Sequence, residues 1–151
     1  MEAEKTTGND WFAVEVRVRY QETDAMGVVY HGNYLTWFEI ARTEWTRARG
    51  VPYGEAERRG LYLPVVDAEV HYKQPAKYDD VLEVRCRPTE VGSVRLSFAY
   101  EIRDKAAPER LLVTGATRHV WVDRAWKPIR LAKAAPDVYE MLRSAAFGEG
   151  E

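Results

Sequence analysis

From Phe12 onward apolar and polar positions alternate: Phe12, Val14, Val16, Val18 and Tyr20 fall on one face, Glu15, Arg17 and Arg19 on the other. A period of two predicts a strand with one buried side. The alternation breaks over Gln21–Asn33 (QETDAMGVVYHGN), where two glycines point to a structured loop. In the next stretch, YLTWFEIARTEWTRAR at 34–49, Tyr34, Trp37, Phe38, Ala41 and Trp45 recur three and four residues apart, the spacing of one helix face. Asn33 is the expected N-cap, Arg47 and Arg49 suit the negative end of the helix, and Gly50 is its stop. A helix with that much aromatic surface should lie against a sheet.

Beyond it, Val51–Gly60 is expected to form a short turn or helix. Four strands follow: Leu61–Gln74, with Pro64 near its start and Pro75 after it, then Val81–Arg87, Val94–Ile102 and Leu111–Asp123, with Gly115 inside the last. Gly92 marks a reversal, and Asp104–Arg110 (DKAAPER) reads as a polar hairpin turn. Pro136 opens a short amphipathic helix, Asp137–Phe147. The links after the long helix are short, so the strands should be antiparallel neighbours, with the helix on one sheet face: an α+β architecture. Residues 1–10 read as a flexible N-terminal tail and 11–151 as a single domain.

Composition narrows the partners. The chain has 151 residues, 46% apolar and 30% charged, the balance of a folded protein, and its net charge of −2 gives no electrostatic case for nucleic acid. No apolar run approaches the ~20 residues that cross a bilayer, so stable membrane insertion is not expected. Residues 1–10 show no secretory signal, and the expected location is the cytoplasm. Cys86 is the single cysteine, so neither an intrachain disulfide nor a cysteine-based zinc cluster can form. No pair among His31, His71 and His119 has metal-ligand spacing, and neither a metal nor another cofactor is expected.

Chemistry concentrates at Glu22–Tyr34, ETDAMGVVYHGNY. Asp24 lies three residues before Gly27, and His31-Gly32-Asn33 runs straight into the long helix. A helix start leaves amides without intrahelical acceptors and carries positive potential, which suits a developing oxyanion. A carboxylate opposite such amides makes two halves of an acyl-transfer site, a base or nucleophile and an electrophilic clamp. Taken alone, Asp24 could equally be a turn former. The His31 ring could cap the helix, stack on Tyr30 or Tyr34, face solvent, or take part in binding or proton transfer.

The stretch Tyr20–Trp45, with YQETDAMGVVYHGNY followed by FEIARTEW, resembles the hotdog-fold family of acyl-CoA thioesterases, in particular its 4-hydroxybenzoyl-CoA thioesterase-like branch of YbgC type. KQPAKYDD at 73–80 is similar to that family's loop before its next strand, and the resemblance spans roughly Val14–Val122. It implies a hotdog fold, a curved antiparallel sheet wrapped around one long central helix, with subunits pairing edge to edge as homodimers or homotetramers. It also implies thioester hydrolysis, acyl-CoA plus water giving a carboxylic acid and CoA. Asp24 takes the place of the catalytic carboxylate, as nucleophile or general base. His31 supplies the backbone N–H that polarises the thioester carbonyl, and Tyr30, Gly32 and Asn33 are the expected substrate contacts.

Met26 departs from the small residue frequent before this glycine, which bears on acyl preference; aromatic and short aliphatic acyl groups both fit. An acyl-thioester hydratase or dehydratase pairing His31 with Asp24, and a non-catalytic acyl-CoA-binding protein, are the rival readings. Glu39 matches a helix carboxylate used in other hotdog branches, but pairing with Arg42 three residues on is its plainer role. The Trp37, Phe38 and Trp45 stripe reads as core. Lys73, Lys77 and Arg118 are the cations that could meet CoA phosphates.

Overall fold

The alternation and the aromatic stripe both become structure, in a computed structural model that describes residues 11–148. The expected tail at 1–10 lies outside the described residues. The elements are β1 (Phe12–Arg17), α1 (Asn33–Arg49), α2 (Tyr53–Arg58), β2 (Val65–Tyr72), β3 (Val81–Val91), β4 (Arg95–Asp104), β5 (Leu111–Val120), α3 (Leu131–Ala134) and α4 (Pro136–Phe147). One five-stranded sheet runs in the order β1-β3-β4-β5-β2, and every neighbouring pair is antiparallel. The hairpin links expected from the short connections place β3, β4 and β5 side by side. The expectation fails for β2, which pairs with β5 across the sheet instead of with β3, so that β1 and β2 form the two edges.

The aromatic face of α1 is the centre of the core. Trp37, Phe38, Ala41 and Trp45 are at most 2% exposed. Phe38 stacks on Tyr100 of β4 with ring centroids 4.3 Å apart, and Trp45 meets Phe98 edge-on at 5.4 Å. Each such side chain taken from water contributes roughly 2–3 kcal/mol before the cost of ordering it. Alternate residues Leu96, Phe98, Tyr100 and Ile102 of β4 all face this helix side of the sheet and are buried. Gly115 on β5 makes the close approach possible, since a Cβ there would lie 2.4 Å from the Phe38 ring and 2.8 Å from the Glu69 carbonyl oxygen. The helix ends as expected at Gly50, whose φ of 72° is the left-handed conformation that lets its N–H reach back to Arg47 and Thr46.

Several boundaries differ from the pattern-based expectation, each for a local reason. The first strand stops at Arg17 rather than Tyr20. The buried Glu22 carboxylate takes the Arg19 N–H at 2.7 Å and draws residues 20–22 into a 3-10 turn, leaving Tyr20 exposed. The strand expected from Leu61 begins at Val65, because Tyr62 is committed to a lone bridge with Val122 and Pro64 has no N–H to donate. β3 continues past Arg87 to Val91, absorbing Pro88 through a register shift between Pro88 and Glu90. β5 ends at Val120 because the Trp121 N–H turns to the Val94 carbonyl. The short α3, which packs the buried Leu131, was not expected from the pattern.

Candidate active site

The expected Asp24 loop is a tight backbone construction. Asp24 N–H donates to the Val28 carbonyl (2.8 Å) and Gly27 N–H returns to the Asp24 carbonyl (2.9 Å), a reversal that needs the φ of 82° at Gly27. Isolated bridges then pair Thr23 with Val29 and Val28 with Lys77. Val29 N–H donates to the Ala76 carbonyl (2.9 Å), and the Tyr34 hydroxyl accepts the Ala76 N–H (3.4 Å), so the 73–80 segment buttresses both the loop and the helix start. Burial, chiefly, pushes the Tyr34 hydroxyl pKa up, so it stays protonated.

Asp24, His31 and Tyr34 open on one cleft of about 270 Å³, walled also by Val28 and Val29 of the loop and by Tyr72 and Lys73 from the end of β2. Asp24 is half-buried, and one carboxylate oxygen accepts the Met26 N–H at 2.9 Å. Its backbone does serve the turn, so the turn-former reading and a place at the cleft coincide in one residue. The His31 N–H donates to no protein acceptor among the described residues, lying between Tyr30 N–H on the Glu22 carbonyl and Asn33 N–H on the Tyr30 carbonyl. The His31 ring lies against the exposed Tyr30 ring, centroids 4.4 Å apart but tilted by 43° rather than stacked, and the His31 carbonyl accepts the Tyr72 hydroxyl at 3.3 Å. The arrangement can do two things chemically: present an anionic oxygen to a carbonyl in the cleft, and offer that carbonyl an uncommitted N–H at the positive end of α1.

Not every expected contact faces the cleft. Tyr30, Gly32 and Asn33 do not line it. Asn33 is also not the N-cap: Gly32 holds that position, and Asn33 is the first helical residue. Its side-chain amide is consumed by the Glu22 carbonyl (2.8 Å), a partner eleven residues earlier. Met26, expected to bear on acyl preference, does line the cleft, and Val28, Tyr34, Tyr72, Gln74 and Pro75 line it without an expected place in the site. The signal for Tyr34 was its place at the head of the aromatic stripe; the β2-side residues carried none. Of the three cations, Lys73 lines the cleft, Lys77 is exposed beside the loop, and Arg118 is paired with Asp67 (3.1 Å) and Glu69 (3.3 Å).

A second cavity, about 220 Å³, lies between α1, α2 and the end of β5, with Glu39, Arg42, Tyr53, Glu57, His119 and Trp121 among its walls. The expected Glu39–Arg42 pair does not form. Arg42 instead donates to the Tyr100 hydroxyl (3.0 Å), which pairs with the Thr117 hydroxyl (2.7 Å), which meets His119 Nε2 (2.9 Å). By geometric criteria His119 Nδ1 has no hydrogen-bond partner among the described residues. Burial first, and the Arg42 charge second, pull the His119 pKa down from 6.5 to about 4, so the ring is neutral at pH 7. His71 is an exposed surface histidine facing Glu69. Among the described residues no cluster of three His, Cys, Asp or Glu is placed to hold a metal ion, and no helix is long and apolar enough to cross a membrane.

The comparisons with known proteins agree with this frame. The model of the thioesterase-like superfamily matches residues 18–144. The chain is 37% identical over 124 residues to a putative acyl-CoA thioesterase, YneP, of Bacillus subtilis, covering 82% of this chain and 88% of that one. It is 36% identical over 91 residues to the acyl-CoA thioester hydrolase YbgC of Escherichia coli, covering 60% and 68%. The solved structure of a DHNA-CoA thioesterase from Staphylococcus aureus superimposes with a TM-score of 0.81 at 36% identity, covering 89% of each chain. The sheet and central helix described above are therefore the hotdog fold.

Proposed function

We propose that this chain, which belongs to the thioesterase-like superfamily, hydrolyses acyl-CoA to a carboxylic acid and free CoA with Asp24 as its catalytic carboxylate. The observation that carries the reading is the shared cleft, in which Asp24 stands with the helix start whose His31 N–H has no acceptor among the described residues. A thioester carbonyl seated between them would be polarised by that N–H. Asp24 then either attacks it, giving a mixed anhydride that water resolves, or takes a proton from the attacking water. Loss of one such oxyanion donor costs about 3–4 kcal/mol of barrier at comparable sites, so the helix start matters as much as the carboxylate.

The test is a panel of acyl-CoAs, aromatic (benzoyl, naphthoyl) and short aliphatic, followed by thiol release. Turnover of at least one member with stoichiometric CoA is the expected result. Hydration of an enoyl-CoA without thiol release, or saturable binding without turnover, would replace this reading with the hydratase or the non-catalytic one.

The same reading includes a homodimer formed through β2, in a protein of the cytoplasm. β2 is a sheet edge eight residues long, and Val65, Val66 and Tyr72 on it are 48%, 60% and 52% exposed. An edge so long and apolar is an invitation to strand pairing. Because Tyr72 also lines the cleft, such pairing would set a partner subunit beside the site. Light scattering on the eluting protein is expected to return twice the chain mass or a multiple of that; a monomeric mass at working concentration would overturn the dimer.

A further inference from the structure

The Asp24 loop and the start of α1 are fastened to a single atom. The Glu22 carbonyl oxygen accepts both the Tyr30 N–H and the Asn33 side-chain amide, each at 2.8 Å. Glu22 sits two residues before Asp24, while Tyr30 and Asn33 bracket His31 and Gly32. Glu22 is itself buried and held still, its carboxylate receiving the Arg19 N–H (2.7 Å) and the Arg19 guanidinium (3.1 Å).

We infer that Asn33 is a positioning residue: its amide, through the Glu22 carbonyl, sets the Asp24 carboxylate against the open N–H of His31. This rests on the thioesterase reading and deepens it. Asn33 does not line the cleft, so its amide has no part in holding substrate. It does not cap α1 either, since Gly32 occupies the cap and the Asn33 amide bonds outside its own helix. Its one hydrogen bond joins the two halves of the site and nothing else. Without it the Glu22 carbonyl holds the helix start only through the Tyr30 N–H, and the remaining tie between loop and helix runs indirectly, through Ala76 to Val29 and Tyr34. Hydrolysis is steeply sensitive to such freedom, since a misplacement of ~1 Å at a reacting centre can cost about 10²-fold.

Asn33→Ala tests this, because alanine is the best helix former and leaves the turn of α1 intact. On an acyl-CoA the enzyme turns over, kcat is expected to fall roughly 10–100-fold with KM within about threefold. The melting temperature should move by only about 2–4 °C, the shift of a single hydrogen bond in a chain of this size. In an Asp24→Asn background the same change should bring no further loss of residual rate, because Asn33 acts only through the Asp24–His31 geometry. Asn33→Gln, which keeps an amide donor on a longer stem, is expected to recover part of kcat.

An unchanged kcat in folded Asn33→Ala, whatever its melting point, would make the residue merely structural and overturn the inference. A loss confined to KM would overturn it too, by making Asn33 a substrate contact. A Gln variant no better than Ala would do the same by removing the donor from the account. The underlying reading fails separately: full activity in Asp24→Asn alone would overturn the thioesterase assignment of the site, whereas an inactive Asp24→Asn beside a fully active Asn33→Ala overturns only the latch.

Discussion

Asp24→Asn is expected to lower kcat for thiol release by about 10²–10⁴-fold, about 3–5 kcal/mol of barrier, while the protein folds as before. Both outcomes follow from one side chain. The Met26 N–H that donates to the Asp24 carboxylate can donate equally to an asparagine oxygen, so the turn and its Gly27 reversal survive the change. What asparagine lacks is the anionic oxygen that either attacks a thioester or takes a proton from water. Acyl-CoA affinity should therefore stay within a few-fold, read as binding by calorimetry alongside the rate. A variant that releases thiol at the full rate would remove Asp24 from the chemistry.

The second large effect concerns stability. Between pH 6.5 and about 4 the protein is expected to lose ~3 kcal/mol of folding free energy through His119 alone. In the unfolded chain this imidazole takes a proton below its ordinary 6.5. In the folded chain, buried beside Arg42, it does not do so until about 4. Between those values the unfolded state binds the extra proton, so stability is complete above pH 6.5 and drains as pH falls. Tyr53, Glu39 and Glu57 share the cavity wall, and Tyr100 and Thr117 link the ring to Arg42. Burial keeps the two tyrosine hydroxyls protonated throughout this window. Asp137, held down to about 2 by Arg59, titrates below it. A melting temperature lower by roughly 6–12 °C at pH 4 than at pH 7 is the expected reading. His119→Gln, which cannot bind the proton, should flatten that slope; an equally steep slope in the variant would move the effect to other groups.

How much of this was visible in the amino-acid order depends on how far apart the interacting residues lie. The central helix was legible because Tyr34, Trp37, Phe38, Ala41 and Trp45 repeat at local helical spacing, and Gly50 marks its end through its own backbone. β4 was legible for the same reason, four alternate residues burying on one side. Asn33 misled, because an asparagine before a helix ordinarily caps it, whereas here a carbonyl eleven residues upstream claims the amide. Asp24 and His31 could be paired because they stand at the two ends of an eight-residue stretch, DAMGVVYH. The rest of their cleft could not, since Tyr72 and Lys73 arrive from the last residue of β2 and just beyond it, some forty positions later, and only sheet topology brings them there. The Arg42–Tyr100–Thr117–His119 chain is similarly invisible in the sequence: α1, β4 and β5 each contribute to it, and local spacing offers Arg42 only Glu39 on its own helix.

Cys86 faces Phe12 across β1 and β3, is fully buried, and has its thiol pKa pushed up to about 12 by that burial. At about pH 8 only roughly one molecule in ten thousand carries the reactive thiolate. A colorimetric disulfide reagent counting the CoA set free by turnover therefore gains no blank from intact enzyme. Once the substrate is spent, any slow rise in colour becomes a clock for the opening of the β1–β3 seam.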